Sequence, residues 1–245
     1  MEKVIELKNV DKHFGTNHVL NKISLTIHSG QLVGLIGPSG AGKSTLIAAM
    51  LGVLRLDGGQ VRLLNSDMPN RSALQNIGYM AQNDALYGNL TGLENLSFFG
   101  KLMGLSRSVL TDKIHLVSQT VDLQDHLDLL VSQYSGGMKR RLSLAIALLS
   151  DAPLLILDEP TVGIDPELRI KIWQELDKFH QQGKTVLITT HVMSEIETVD
   201  RLLMLRDGHI IADNTPTFLE KQYQVTNIES VFIKAGERYE NNSHI

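Results

Sequence analysis

The stretch Gly37–Thr45 reads Gly-Pro-Ser-Gly-Ala-Gly-Lys-Ser-Thr and matches the phosphate-loop pattern G-x-x-x-x-G-K-[ST]. In this pattern glycines let backbone N–H groups converge on phosphate oxygens, the lysine adds a point charge, and the serine hydroxyl reaches magnesium. The apolar run before it predicts a strand, and the residues through Met50 predict a helix whose N-terminus favours an anion. The candidate ligand-binding residues are Gly37, Pro38, Ser39, Gly40, Ala41, Gly42, Lys43, Ser44 and Thr45.

A second candidate site follows the apolar run 154–157. Such a run is typical of a parallel strand buried on both faces, and it ends in Asp158 and Glu159. Because ligands bind at the carboxyl ends of parallel strands, we predict that Asp158 binds magnesium and that Glu159 acts on the attacking water. Alone, an acidic pair before Pro160 is also common in a turn at a strand end. The phosphate loop upstream favours the catalytic interpretation.

A third motif is the small-residue turn formed by Ser135, Gly136 and Gly137. Apolar residues recur at helical spacing after it, through Leu149, so the turn is predicted to begin an amphipathic helix with an anion-binding N-terminus. The basic run 139–141 lies just inside that helix. It could be a nucleic-acid patch, but a solvated helix face is the favoured interpretation.

Together these motifs resemble the nucleotide-binding subunits of ABC transporters over residues 4–236, in order and spacing as well as content. The resemblance rests on the phosphate loop, Gln82 in Gly-Tyr-Met-Ala-Gln, the turn at Ser135, the acidic pair, Asp165 in Val-Gly-Ile-Asp, and His191 in Thr-Thr-His-Val. The family usually has Leu-Ser-Gly-Gly-Gln at the turn, whereas this chain has Tyr and Met at the two ends.

The resemblance implies a role for each matching residue. Gln82 would contact magnesium or the attacking water, and His191 would hold the terminal phosphate. Phe14 would stack on adenine. Ser135, Gly136 and Gly137 would bind the phosphate held by an opposite subunit, with Asp165 as a further cross-subunit contact. Taken singly, Gln82 is more typical of an ordinary residue at a strand end, and His191 of a capping or solvated histidine. For Phe14, a ring that covers a sheet edge stays open as an alternative.

The pattern along the chain predicts the α/β class. We expect a P-loop NTPase core with a mixed sheet, an N-terminal antiparallel β edge sheet, and an inserted α-helical subdomain. The expected strands are 4–10, 23–27, 32–36 and 60–64, and two closing helices are expected at 217–223 and 228–234. The catalytic core is assigned to 1–90 and 151–235, the helical subdomain to 91–150, and a mobile polar tail to 236–245.

Composition limits the function further. A chain of 245 residues with 42% hydrophobic content is long enough to bury a sizeable core. Its net charge of -4 argues against nucleic acid as a partner, and its lack of cysteine excludes disulfides and fits a reducing compartment. The sequence shows no export signal and no apolar run of membrane-spanning length, so a transporter would need another chain to cross the bilayer.

The resemblance therefore implies ATP hydrolysis with Mg²⁺ in a dimer that closes on nucleotide. The partners would be a second copy or a related ATPase subunit, together with a separate transmembrane permease, on the cytoplasmic face of the membrane. The motif variants resemble ATPases of drug, lipid-linked and polysaccharide exporters. Two other classes of ABC protein fit less well. DNA-maintenance members carry a very long coiled coil between the phosphate loop and the turn at Ser135, and the segment here is far too short for one. Translation-associated members carry two cassettes in one chain, whereas this chain has one. A pure binding module would be expected to lack Lys43, Glu159 or His191.

Overall fold

The computed structural model describes residues 2–243, which divide into two compact units. The first unit joins the chain up to Leu74 with the chain from Leu187 onward, and the second runs from Gln75 to Val186. The first unit begins with β1 (Lys3–Phe14), β2 (Asn17–His28), β3 (Leu32–Ile36), α1 (Lys43–Met50), β4 (Gly58–Leu63), β5 (Ser66–Asp67) and α2 (Arg71–Leu74).

The second unit contains most of the helices. Its elements are β6 (Ile77–Met80), α3 (Gly92–Leu102), α4 (Arg107–Thr120), α5 (Gly136–Leu149), β7 (Leu154–Asp158), α6 (Pro166–Gln181) and the start of β8 (Thr185–Thr189). The chain then completes the first unit with β9 (Arg201–Arg206), β10 (His209–Asn214), α7 (Pro216–Tyr223) and α8 (Ile228–Ser243). Among these described residues, no helix combines the length and apolar character that crossing a membrane requires.

An antiparallel sheet in the order β2-β1-β4-β5 opens the first unit. Alternate residues of β2 point to the same face of this sheet, and on that face Ile23, Leu25 and Ile27 are all buried. The predicted antiparallel edge sheet is therefore confirmed. Its strands are longer than predicted, because the β1–β2 pairing continues to the hairpin, where Phe14 lies opposite Asn17.

A second sheet in the same unit carries the phosphate loop. β3 pairs in parallel with β9, and β9 pairs antiparallel with β10, so this sheet is mixed, as expected. Every residue of β3 is buried, which fits its unbroken apolar sequence. The strand predicted at 32–36 is confirmed at both ends.

The second unit is built around α5. Three α-helices occupy the segment 91–150, in which helical structure was predicted, and α3 begins with a capping box between Thr91 and Glu94. β6 and β7 pair in parallel from Ile77 opposite Leu154 to Met80 opposite Leu157. Because β6, β7 and α6 belong to this compact unit too, it extends beyond the segment assigned to a helical subdomain.

The tail predicted to be mobile at 236–245 is helical as far as Ser243, because α8 continues to that residue. Its mobility stays a prediction. One buried residue and two side-chain contacts hold the C-terminal part of α8. Ala235 is buried, the Tyr239 hydroxyl hydrogen-bonds to His209 Nδ1 at 2.8 Å, and Arg206 forms an ion pair with Glu240. The final two positions of the predicted tail lie outside the described residues.

Candidate nucleotide site

The phosphate loop needs glycine for steric reasons. A Cβ atom at Gly37 would lie 2.3 Å from the carbonyl oxygen of Leu205, which belongs to backbone and cannot turn away. Gly42 has a φ of 101°, and its Cβ would lie 2.9 Å from the carbonyl oxygen of Val19. Gly40 adopts a φ of 81° at an open position. The loop conformation is therefore available only with these glycines.

Lys43 lies inside this loop. Its side chain is largely buried, and Nζ donates hydrogen bonds to the carbonyl oxygens of Gly37 at 2.8 Å and Pro38 at 3.1 Å. α1 begins at Lys43 directly after Gly42, which has no side chain to cap the helix. Ser44 is exposed beside that helix end. A fixed positive charge and a helix N-terminus together suit a phosphate group.

Two further predicted residues belong to the same unit. Phe14 is 51% exposed, and Lys12 Nζ lies 5.2 Å from the centroid of its ring, so about half of this side chain is open to solvent. His191 is exposed immediately after β8. The loop that follows is fixed by the buried Thr190 hydroxyl, which donates to Glu195 Oε2 at 2.7 Å and accepts from the Val192 N–H at 3.0 Å.

The acidic pair ends β7 in the second unit. Asp158 is almost fully buried, and Glu159 is half-buried with a φ of 54°, a left-handed conformation that non-glycine residues seldom adopt. Burial raises the pKa of Tyr79 on β6, and the negative charge of Asp158 raises that pKa further. A carboxylate oxygen at a strand end suits a hard cation such as Mg²⁺.

The role of Arg140 was not evident from the sequence. The solvated face predicted for the run 139–141 is wrong at this position, because Arg140 is only 8% exposed. Helical spacing carried the signal: Arg140 precedes Leu144 by four residues and Ala147 by seven, and both are fully buried. Arg140 therefore lies on the buried face of α5.

The Arg140 guanidinium binds the backbone at two functional segments. It donates to the carbonyl oxygens of Ala81 at 3.0 Å and Gln82 at 2.7 Å, and to that of Glu159 at 2.7 Å. It also donates to the carbonyl oxygen of Asp158. One buried cation therefore joins the segment containing Gln82, whose side chain is exposed, to the turn that carries the acidic pair.

The small-residue turn forms the start of α5. The Ser135 hydroxyl accepts a hydrogen bond from the Met138 N–H at 3.2 Å, and Ser135 and Gly136 are exposed. Tyr134, which replaces the family's leucine, is buried and donates from its hydroxyl to the His126 carbonyl oxygen at 2.8 Å. Burial also raises the pKa of Tyr134. The N-terminus of α5 is therefore exposed to solvent, and the residue just before it, Tyr134, is anchored in the interior by its hydrogen bond.

Asp165 is the N-cap of α6. Its Oδ1 accepts a hydrogen bond from the Leu168 N–H at 3.0 Å, and the side chain is exposed. Nearby, Gly137 packs against the backbone of Gly163, since a Cβ at Gly137 would lie 3.4 Å from the Gly163 carbonyl oxygen. Capping gives Asp165 a structural role within the chain, and its cross-subunit contact stays a prediction.

Comparison with known proteins decides the family. A family model described as "ABC transporter" matches residues 20–162, from β2 through the acidic pair. The chain belongs to the ABC transporter family. Two relatives named "Nod factor export ATP-binding protein I", from Burkholderia lata and Rhizobium sp. strain N33, are each 40% identical to this ABC chain. The alignments cover 86% and 95% of the chain, and 71% and 78% of the relatives.

Solved structures agree with this assignment. An "ATP binding subunit of ABC transporter" superposes with a TM-score of 0.88 at 24% identity, covering 95% of this chain and 99% of that one. A dimeric ATP-binding cassette bound to ADP and Pi in a post-hydrolysis state superposes with a TM-score of 0.80 at 27% identity, covering 86% and 98%. As an ABC cassette, the chain is an ATP-binding and ATP-hydrolysing subunit.

Proposed function

We propose that this subunit drives export through a separate transmembrane permease. The curated relatives support the direction of transport, because their names describe export ATP-binding proteins. The observation that most directly supports ATP binding is the phosphate loop. In this loop the buried Lys43 lies at the N-terminus of α1, which no side chain caps. The cargo would be selected in the permease, so the relatives' Nod factor is not assigned to this chain.

We propose the following roles for the site residues. Lys43 and the backbone amides of Gly40, Ala41 and Gly42 bind phosphate oxygens, and Phe14 stacks on adenine. Ser44, Gln82 and Asp158 offer hydroxyl, amide and carboxylate oxygens, a donor set that fits Mg²⁺, which when bound would shield the phosphate charge.

The remaining roles concern the attacking water. Glu159 would accept its proton, and His191 would donate a hydrogen bond to the terminal phosphate. The left-handed backbone at Glu159 supports this assignment, since strained conformations cluster at functional sites.

The second ATPase subunit would complete the site. Exposure of Ser135 and Gly136 leaves the α5 N-terminus accessible to an anion held by another subunit, and Asp165 is exposed as well. The dimeric structure of a related cassette supports this arrangement. The partner would be a second copy or a related ATPase, on the cytoplasmic face of the membrane and attached through the permease. A net charge of -4 speaks against a nucleic-acid partner.

The dimer proposal is tested with Glu159→Gln. The Glu159→Gln chain lacks the proposed base, so we expect it to bind ATP without hydrolysing it. Size-exclusion chromatography with ATP and Mg²⁺ should therefore show a persistent dimer. Glu167→Gln, at an exposed position in the first turn of α6, is the matched control and should retain turnover. A Glu159→Gln chain that stays monomeric while hydrolysing ATP normally would refute the role of Glu159.

The permease is tested by affinity purification of the chain from detergent-solubilised membranes. A co-purifying protein with several apolar spans is expected, and candidate cargoes should stimulate ATP hydrolysis by that complex. Co-purification of nucleic acid with no membrane protein would contradict the proposal.

A further inference from the structure

A cluster of metal-binding side chains lies on the β1–β2 hairpin. Asp11, His13 and His18 each offer one ligand atom, and these atoms all lie within 4.8 Å of one another. The hairpin register produces the cluster, because His13 on β1 lies directly opposite His18 on β2. The two imidazole rings stack with centroids 3.9 Å apart and planes inclined by 12°.

The distances within the cluster are close to those of a coordination sphere. His18 Nε2 lies 2.5 Å from Asp11 Oδ1, and His13 Nδ1 lies 3.7 Å from the same oxygen. Zinc–nitrogen bonds of about 2.0–2.1 Å in a tetrahedron place ligand atoms about 3.3 Å apart. These two distances lie on either side of that value. Because the stacked rings lie in nearly parallel planes, at least one imidazole would have to rotate out of the stack for both nitrogens to bind one ion.

A further carboxylate lies beside the cluster. The carboxylate of Asp57 lies 3.9 Å from His13 Nδ1 and accepts a hydrogen bond from the His13 backbone N–H at 2.6 Å. Asp57 therefore places a second carboxylate beside the cluster. The nearby Lys12 ammonium is paired with Asp57 at 3.3 Å. His13 and His18 remain partly exposed, so an ion can reach them from solvent.

We propose that Asp11, His13 and His18 form a binding site for a first-row transition-metal dication of the Zn²⁺ class. Imidazole nitrogens suit zinc, nickel and copper, whereas Mg²⁺ prefers oxygen ligands, so the site differs in kind from the magnesium site proposed for ATP. Three protein ligands leave a fourth position for water. The site uses no residue assigned to nucleotide or catalysis, and it would cross-link the two strands next to Phe14.

Isothermal titration with ZnCl₂ tests the site, using the full chain without an affinity tag and without nucleotide, which would itself bind zinc. One equivalent should bind. The variant His13→Asn/His18→Asn should lose more affinity than the roughly 10–100-fold that removal of an outer-shell partner costs. His115→Asn is the matched control, because His115 lies on α4 in the other compact unit. It should bind like the parent chain.

Two checks make the result decisive. Circular dichroism and ATP binding establish whether the double variant is folded. If the double variant is unfolded, the single variant Asp11→Asn is used instead. X-ray absorption of the zinc-loaded chain should show two imidazole ligands. Absence of stoichiometric binding would leave the His18–Asp11 contact as a purely structural hydrogen bond and overturn the proposal. Binding that the double variant retains would overturn it equally, and neither result would alter the ATPase assignment.

Discussion

Replacing Arg140 by methionine removes one buried guanidinium from four backbone carbonyl oxygens. A hydrogen bond to a charged group contributes about 1.5–3 kcal/mol, but bonds that share one side chain are not additive. The desolvation cost of a buried arginine opposes them, and the methionine chain replaces part of the arginine stem. We expect Arg140→Met to lower the free energy of unfolding by about 3 kcal/mol.

Arg141→Met is the matched control on the same helix. Arg141 donates to the carbonyl oxygens of Asp122 at 2.7 Å and Val121 at 3.2 Å, at a more exposed position. Its loss should cost about 1 kcal/mol. Urea denaturation followed by circular dichroism compares the two variants, and Arg140→Lys, which keeps the charge without the planar fork, should lie between Arg140→Met and the parent chain.

Catalysis provides the readout that a purely stabilising residue would not change. Arg140 is a positioning residue, since it binds the backbone of Glu159 rather than a substrate. Without it the turn can relax from its left-handed conformation, and misplacement of a catalytic group by about 1 Å can cost on the order of 100-fold in rate. We expect kcat for ATP to fall about 10–100-fold with KM little changed. Equal effects of the Arg140 and Arg141 changes on stability and kcat would refute this reasoning.

Two further changes test contacts elsewhere in the second unit. Tyr134→Phe removes the hydrogen bond to the His126 carbonyl and should lower stability by about 1 kcal/mol in thermal unfolding; an unchanged melting temperature would show that packing alone holds the ring. The Lys184 hydrogen bond, with the charge of Lys113, lowers the pKa of Asp151 below its ordinary 3.8. The contribution of ionised Asp151 to the free energy of unfolding is therefore present above pH 3.8, the ordinary pKa of the group, and is lost as the pH falls through the lowered pKa. The stability difference between the parent chain and Asp151→Asn should narrow as pH falls from about 5 to about 3 in denaturant titrations, and a constant difference would contradict the pairing.

Much of the fold could be predicted because its signals are local. The phosphate loop is a contiguous pattern whose glycines are required by the backbone itself, and β3 is an unbroken apolar run that matches its predicted bounds. Alternation along β2 indicated one buried face, and the helical spacing after Thr91 indicated the helices of the second unit. For these elements, neighbours in sequence already determine the conformation.

Other features depend on partners far along the chain. α8 continues to Ser243 through contacts with β9 and β10, although its last residues are polar. The sequence places Arg140 in a charged run, yet its guanidinium lies among carbonyl groups from the end of β7, from Glu159 just beyond it and from the segment after β6. The pairing of His13 with His18 depends on strand register. The chemistry of the phosphate loop and most helices and strands could be predicted because they follow from residue spacing within one segment. The polar groups that meet in the folded chain could not be predicted in this way, because a buried charge is stabilised by whichever carbonyl oxygens packing brings to it.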